Sequence, residues 1–292
     1  MMKIAVASGK GGTGKTFVST NLYQLMVEQG WRVGIVDCDA EVPNSALFLP
    51  GVQQHQWEVD AFCPTFDMDQ CVWCGRCAEA CHFHAITCLP SLHYLKVLPD
   101  LCHSCKACLE LCPSGAVKQS FKKLGVVTAY AQRGPVHLIE AKIKEGVHSP
   151  VPILREALAH AEAEHWDFTI LDAPPGCACP FVNTVRDADL VLLVTEPTPF
   201  GLSDLKQTIQ VLRRMGKAFK VVLNRADLGD GKMQTFLAEE QIETVLEIPY
   251  SEEIASAYSK GKLVVQQSSH LRHLFTILMN NVLQYENSCR QW

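Results

Sequence analysis

The stretch "KIAVASGKGGTGKT", residues 3–16, decides the fold of this chain. An apolar run precedes a glycine-rich segment that fits G-x-x-x-x-G-K-[ST], with Gly9, Gly14, Lys15 and Thr16 in the fixed positions. Glycines let successive backbone N–H groups turn toward one anion, while Lys15 reaches the β- and γ-phosphates and the Thr16 hydroxyl coordinates Mg²⁺. The pattern predicts a nucleotide phosphate site formed by Gly9, Lys10, Gly11, Gly12, Thr13, Gly14, Lys15 and Thr16.

Further apolar runs rich in β-branched residues predict more buried strands. With the first run, at residues 3–8, they occupy residues 32–39, 167–174, 189–196 and 219–224. Apolar positions at helical spacing predict helices over 15–29, 151–164 and 202–215. This alternation indicates an α/β fold with a doubly wound parallel sheet, assigned to residues 1–60 and 120–292.

The segment 61–119 interrupts that alternation and predicts a small inserted domain. It holds two copies of C-x2-C-x2-C-x3-C, which is the spacing of four-iron cluster ligands. The region resembles a bacterial two-cluster ferredoxin, except that His82 stands where proline is usual. In this arrangement the fourth cysteine of each run serves the other cluster, giving one set of Cys71, Cys74, Cys77 and Cys112 and another of Cys102, Cys105, Cys108 and Cys81. A pair of zinc sites is the alternative.

The longer form K-G-G-x-G-K-[ST], which begins at Lys10, resembles the deviant P-loop of the MinD/ParA and nitrogenase iron protein superfamily. The resemblance covers essentially the whole chain and is greatest to MinD-type ATPases that carry an inserted ferredoxin domain. It implies that Lys10 contacts nucleotide phosphate across a face-to-face homodimer, as an arginine finger does. The cofactors it implies are ATP, Mg²⁺ and two 4Fe-4S clusters.

The same resemblance implies roles for residues outside the P-loop. The stretch "VDCDAEVPN", residues 36–44, resembles the family's first switch, in which Asp39 would orient the attacking water with Asp37 and Asn44 nearby. The stretch "LDAPPG", residues 171–176, resembles its second switch, in which Asp172 would hold the Mg²⁺ water shell. Two further contacts are expected, of Gly176 with the γ-phosphate and of Asn224 with the adenine base. Pro249 would lie on the backbone of the loop beside the adenine. Lys10, Lys15, Asp39 and Asp172 are the expected catalytic residues. Arg225 replaces the family's usual lysine after the asparagine.

Other cysteines lie outside the two repeats. Cys38, Cys63 and Cys88 are predicted to be buried free thiols. Cys177 and Cys179, in "GCACP", follow the second switch. The sequence leaves open whether they bind a bridging cluster, relay electrons, or pack against the next helix.

Composition narrows the class of protein. The 292 residues are 48% hydrophobic and 20% charged with a net charge of −5, which predicts a large core and argues against nucleic acid or an anionic membrane as partner. The N-terminal stretch resembles neither a secretory signal nor a membrane span, so a cytoplasmic location is expected. Leu271, Leu274, Leu278 and Val282 share one face of a predicted C-terminal helix that has few basic residues opposite, as in a packed helix rather than a membrane anchor.

These features predict an ATP-hydrolysing homodimer that couples its nucleotide state to electron transfer through two 4Fe-4S clusters and an unidentified redox or cluster-accepting protein. A cluster assembly or carrier ATPase is the main alternative. A ParA-like positioning protein is a third, disfavoured by the acidic balance.

Overall fold

The computed structural model describes residues 1–132, 134–147 and 149–290. The strands are β1 (Met2–Ala7), β2 (Val33–Asp37), β3 (Val52–Phe66), β4 (Ile86–Leu89), β5 (Tyr94–Val97), β6 (Val117–Ala131), β7 (Val136–Ile143), β8 (Phe168–Asp172), β9 (Leu190–Thr195), β10 (Phe219–Asn224) and β11 (Thr244–Ile248). The helices are α1 (Lys15–Glu28), α2 (Ser45–Phe48), α3 (Arg76–Glu79), α4 (Ala107–Glu110), α5 (Val151–Ala163), α6 (Cys179–Val185), α7 (Pro199–Arg214), α8 (Lys232–Glu239), α9 (Glu252–Ser259) and α10 (Ser269–Arg290).

The main sheet has the strand order β11-β10-β9-β1-β8-β2-β7-β6-β3. The strands from β11 to β7 are parallel, whereas β6 runs antiparallel to both β7 and β3. The five predicted strands and three predicted helices are all present. The parallel sheet predicted from the sequence is therefore confirmed for its larger part, and the antiparallel edge is an addition that the sequence did not reveal.

Alternate residues of β1 enter two different cores. Ile4 and Val6 pack in a cluster that contains residues of α1 and α10, whereas Ala5 and Ala7 pack in a cluster that contains residues of α5 and α7. Successive side chains of a strand point to opposite faces, so the sheet is covered by helices on both sides. The doubly wound arrangement is confirmed.

Strands β3 and β6 form a long hairpin that extends past the end of β7. The last residue of β7, Ile143, pairs with Gly125 of β6, and Gly125 pairs with Val59 of β3. Residues 60–66 and 117–124 therefore project by about 20 Å, given about 3.3 Å for each residue. Since β7 is parallel to β2, the projection lies beyond the carboxyl edge of the sheet. Residues 61 and 119, the predicted limits of the inserted domain, lie within β3 and β6 rather than at their ends.

The cysteine-rich residues 67–116 lie at the tip of this hairpin. They contain the short helices α3 and α4 and a separate antiparallel pair, β4 and β5. Phe62 and Val117 from the hairpin pack with Ile86, Cys77 and Cys108 in a third hydrophobic cluster. The tip thus has its own small core, built on the ends of the two projecting strands.

Helix α10 packs against the first core. Leu271, Leu278 and Val282 are buried, and Leu274 is partly buried against the same cluster. The expected packing of this helix is therefore confirmed. Among the described residues, no helix combines the length and the apolar character needed to cross a membrane.

Candidate functional site

The glycine-rich loop lies between the end of β1 and the start of α1. Gly12 and Gly14 have positive φ angles of 78° and 100°, a backbone conformation that glycine adopts at little cost. A Cβ atom on Gly14 would also come within 2.7 Å of the Asn224 side-chain nitrogen. Asn224 in turn donates a hydrogen bond of 2.8 Å from Nδ2 to the Thr13 carbonyl. The absence of a side chain at residue 14 is therefore what allows the end of β10 to support the loop.

Asp172, the last residue of β8, holds the start of α1. Its two carboxylate oxygens accept hydrogen bonds from Thr16 Oγ1 at 2.6 Å and Ser19 Oγ at 3.0 Å. Burial, followed by the nearby charge of Asp37, raises the pKa of Asp172 to about 7, although Thr16 and Lys15 act in the opposite direction. The carboxylate and the Thr16 hydroxyl are oxygen ligands of the kind that Mg²⁺ prefers, directly or through water.

Asp37 organises the turn that follows β2. It is fully buried and accepts backbone N–H hydrogen bonds from Asp39, Asn44 and Ser45 at 2.8 to 3.1 Å. Burial nevertheless raises the pKa of Asp37 above its ordinary value. Its role is to fix the backbone that carries Asp39 and the start of α2.

A cavity of about 390 Å³ opens beside the P-loop. Asp39 lines it, and burial raises the pKa of this carboxyl while the nearby Lys15 charge lowers it. The predicted site residues in its wall are Gly11, Gly12, Gly14, Lys15, Thr16, Asp39, Asn224 and Pro249. This volume and its mixed polar and apolar wall suit a nucleotide-sized ligand.

The other predicted residues lie nearby without lining the cavity. Thr13 is buried, and its carbonyl supports Asn224. Gly176, with φ of 86°, donates its N–H to the Ser8 carbonyl at 3.0 Å, which joins the second switch to the end of β1. Gly9 packs closely against Asp204. Lys10 is absent from the cavity wall, and its Nζ lies 3.4 Å from a carboxylate oxygen of Glu196.

One wall of the cavity comes from residues 247–262, a stretch that resembles the family's adenine-side loop but in which the sequence singled out only Pro249. Tyr250, Ile254 and Tyr258 lie at intervals of four residues on α9 and the turn before it, and they form the apolar side of the cavity. Tyr258 also contacts Phe17 and Phe48, with ring centroids 6.4 and 4.8 Å apart. The helical spacing of these three residues was visible in the sequence, and it could have identified them.

The eight repeated cysteines line two separate cavities at the tip of the hairpin. One is lined by Cys71, Cys74, Cys77 and Cys112, and the other by Cys81, Cys102, Cys105 and Cys108. Each cavity therefore receives three cysteines from one run and the fourth from the other run. This is the grouping that the ferredoxin resemblance implies.

The thiols of each group are close enough to affect one another. Burial raises the pKa of Cys108 to about 11, and the neighbouring Cys102, Cys105 and Cys81 add to the effect. Burial likewise raises the pKa of Cys77 to about 11, with further contributions from Cys88, from Cys71 of the same group and from Cys108 of the other group.

Several polar groups are directed at the sulfurs. Ala85 N–H donates to Cys81 Sγ at 3.2 Å, and the Ser114 hydroxyl lies 3.8 Å from Cys112 Sγ. Backbone N–H groups that approach a sulfur stabilise the thiolate form, which is the form that binds iron. Four thiols in each cavity are donors of the kind that iron–sulfur clusters use.

In the described part of the chain, no group of three or more His, Cys, Asp or Glu side chains is placed to hold a metal ion. The repeated cysteines thus form two groups of four around two cavities, but in neither group are the side chains close enough together to coordinate one ion.

The remaining cysteines have varied surroundings. Cys38 and Cys63 are buried, as predicted. The prediction for Cys88 is wrong, because this residue is only half-buried and lines the first cavity from the short strand β4. Cys177 is half-buried against the second core, and Cys179 is exposed at the start of α6.

A P-loop and two carboxylates at the carboxyl edge of a mostly parallel sheet define the class of P-loop nucleotide-binding proteins. Residues 4–264 match the model of the CobQ/CobB/MinD/ParA nucleotide binding domain. The chain belongs to this family and is a MinD/ParA-type P-loop ATPase.

Known proteins agree with this assignment. The chain is 32% identical over 267 residues to an uncharacterized protein of Methanocaldococcus jannaschii, covering 90% of this chain and 91% of that one. It is 23% identical to the iron-sulfur cluster carrier protein of Pyrococcus horikoshii, covering 90% and 79% of the two chains. MinD of Pyrococcus horikoshii, solved with Mg-ADP, has the same fold, with a TM-score of 0.58, 20% identity and coverage of 96% and 95%.

Proposed function

We propose that this protein is an ATP-hydrolysing homodimer in which nucleotide-driven closure controls electron transfer through two 4Fe-4S clusters held by residues 61–119. The observation that carries the proposal is the position of the cysteine cavities. They lie on a long hairpin that projects from the same sheet edge that carries the nucleotide site. If two chains meet at this edge with nucleotide between them, closure moves both hairpins as well.

The nucleotide site would work through groups already in position. Lys15 and the loop N–H groups hold the phosphates, and Thr16 with Asp172 holds Mg²⁺ or its water shell. Asp39 lines the cavity, where it would orient the attacking water. Asn224 and Pro249 lie where they would contact the base, with Tyr250 and Tyr258 as the apolar wall.

The two switches connect this site to the rest of the chain. Asp39 belongs to the turn that leads through α2 into β3, and β3 contributes Phe62 to the wall of the second cysteine cavity. Phe62 is held there, since its carbonyl accepts a hydrogen bond of 2.8 Å from Ser104 Oγ. A shift of the first switch would therefore be transmitted along one continuous strand.

The cysteine groups would each hold one cluster, which supplies one-electron redox chemistry when bound. Cys71, Cys74, Cys77 and Cys112 would hold the first cluster, and Cys81, Cys102, Cys105 and Cys108 the second. The protein's own part is to position the thiolates and to set their surroundings, which govern the reduction potential.

A carrier function is the second candidate. Relatives from Pyrococcus horikoshii, Pyrococcus abyssi and Aquifex aeolicus are named iron-sulfur cluster carrier proteins, at 22 to 24% identity. Cys74 and Cys105 are exposed, so one ligand of each group is accessible to an acceptor protein. Transfer of iron to an apoprotein, rather than repeated reduction without loss, would favour this function.

Reduction kinetics of the anaerobic protein test the main proposal. We expect the rate of cluster reduction by dithionite to differ between ADP and a non-hydrolysable ATP analogue, because only the analogue closes the dimer. Stopped-flow absorbance measures this rate directly. Equal rates in the two nucleotide states would overturn redox coupling and leave the carrier function as the better one.

Replacing Lys15 tests the nucleotide site alone. Lys15→Ala removes charge-assisted hydrogen bonds worth about 1.5 to 3 kcal/mol each, so nucleotide affinity should fall by about one to two orders of magnitude. Iron content should not change, because the cysteine cavities lie on the distant hairpin. Calorimetric titration and iron analysis measure the two quantities. Lys3→Ala, at the opposite end of β1, is the matched control. Loss of iron in Lys15→Ala would mean that the two sites do not fold independently.

A further inference from the structure

Glu196 is a buried acid that no step described above uses. It directly follows β9, and only 6% of its surface is exposed. Two cations share its carboxylate: Lys10 Nζ lies 3.4 Å from Oε2, and Arg225 Nη1 lies 2.9 Å from Oε1. Such a group needs a positive partner, because an unpaired buried charge is strongly destabilising.

The two cations come from two parts of the nucleotide site. Lys10 belongs to the P-loop, whereas Arg225 follows β10 and lines the nucleotide cavity. Arg225 N–H donates to Asn224 Oδ1 at 3.0 Å, and Asn224 returns to the P-loop through its bond to the Thr13 carbonyl. A closed ring of contacts therefore joins Lys10, Glu196, Arg225, Asn224 and Thr13.

One carboxylate requires only one of these two cations. If Lys10 leaves, Arg225 remains and keeps Glu196 paired, so the departure of Lys10 exposes no unpaired buried charge. Without Arg225, Lys10 would have to stay. Glu196 thus gives Lys10 a resting position, and Arg225 can replace Lys10 as the partner of Glu196.

We propose that Glu196 is a positioning residue that holds Lys10 inward in the single chain, and that Arg225 takes over the carboxylate when Lys10 moves to the nucleotide of a second copy. This inference rests on the proposed function, in which Lys10 acts across the dimer. Glu196 would then set the protein concentration at which ATP closes the dimer.

Labelling of Lys10 tests the resting position without nucleotide. Glu196→Gln keeps the shape of the side chain but removes its charge, so we expect an amine-reactive reagent to modify Lys10 several-fold faster. Peptide mass spectrometry measures the rate at each lysine. Glu243→Gln, which removes a charge paired with Lys220 at the surface, is the matched control and should leave Lys10 unchanged. An unchanged Lys10 rate in Glu196→Gln would overturn the inference.

Dimer formation tests whether Arg225 takes the place of Lys10 at Glu196. With Mg²⁺ and a non-hydrolysable ATP analogue, sedimentation of the full chain should show dimers at about tenfold lower concentration for Glu196→Gln than for wild type. Arg225→Met should require a higher concentration, and this effect should disappear in the double variant, since Arg225 acts through Glu196. A structural role alone would give additive effects and would overturn the exchange. Failure of the wild type to dimerise would instead overturn the proposed function, whatever the labelling shows.

Discussion

Lys10→Ala is expected to bind Mg-ATP within a few-fold of wild type and to hydrolyse it about 10³-fold more slowly. The expected size follows from arginine fingers, which act on charge that develops in the transition state. Lys10 does not line its own chain's nucleotide cavity and points toward Glu196, whereas Lys15 lines that cavity. Removing Lys10 therefore takes little from binding within one chain.

Three measurements check this prediction. Calorimetric titration gives nucleotide affinity, steady-state phosphate release gives the hydrolysis rate, and sedimentation gives closure of the dimer. The difference in cluster reduction between ADP and the ATP analogue should also vanish in Lys10→Ala. Lys3→Ala, which removes the same charge at the opposite edge of the sheet, should behave as wild type. A loss of affinity as large as that of Lys15→Ala would mean that Lys10 acts within its own chain.

The parallel part of the fold could be predicted because its strands are continuous apolar runs. Strands β1, β8 and β9 are buried on both faces, so nearly every residue is apolar and the signal is strong. Strands β3 and β6 carry no such signal, because much of β3 is exposed at the sheet edge and β6 carries several lysines. Their polar composition left the hairpin unpredicted, although it is the element that determines where the cysteine cavities lie.

The candidate site divides in a similar way. Motif spacing indicated the P-loop, and the family resemblance implied the roles of Asp39 and Asp172, which lie just after β2 and at the end of β8. The role of Glu196 could not be predicted, because it depends on the ion pair with Lys10, and these two residues are close only in the folded chain. Cys88 lies outside both repeats and was predicted to be buried, whereas its place on a short edge strand leaves it beside the first cavity.

Cys81→Ala is expected to remove the second cluster and to spare the first, although Cys81 belongs to the first run. Its sulfur lines the cavity of Cys102, Cys105 and Cys108 and is among the charges that raise the pKa of Cys108. Four thiolates hold such a cluster, so loss of one leaves an open iron position and a labile cluster. Iron and sulfide per chain should fall by about half.

Electron paramagnetic resonance of the reduced variant distinguishes the two clusters, because the magnetic interaction between them should disappear while one signal remains. The reciprocal variant, Cys112→Ala, should lose the first cluster instead, since Cys112 lines the cavity of Cys71, Cys74 and Cys77. Cys88→Ala is the matched control, since it removes a thiol from the first cavity that belongs to neither repeat and should leave both clusters in place. Unchanged nucleotide affinity in all three variants would show that the P-loop domain remains folded. If Cys81→Ala instead lost the first cluster and kept the second, the crossed assignment of the fourth ligands would be wrong, and each run would have to serve its own cluster.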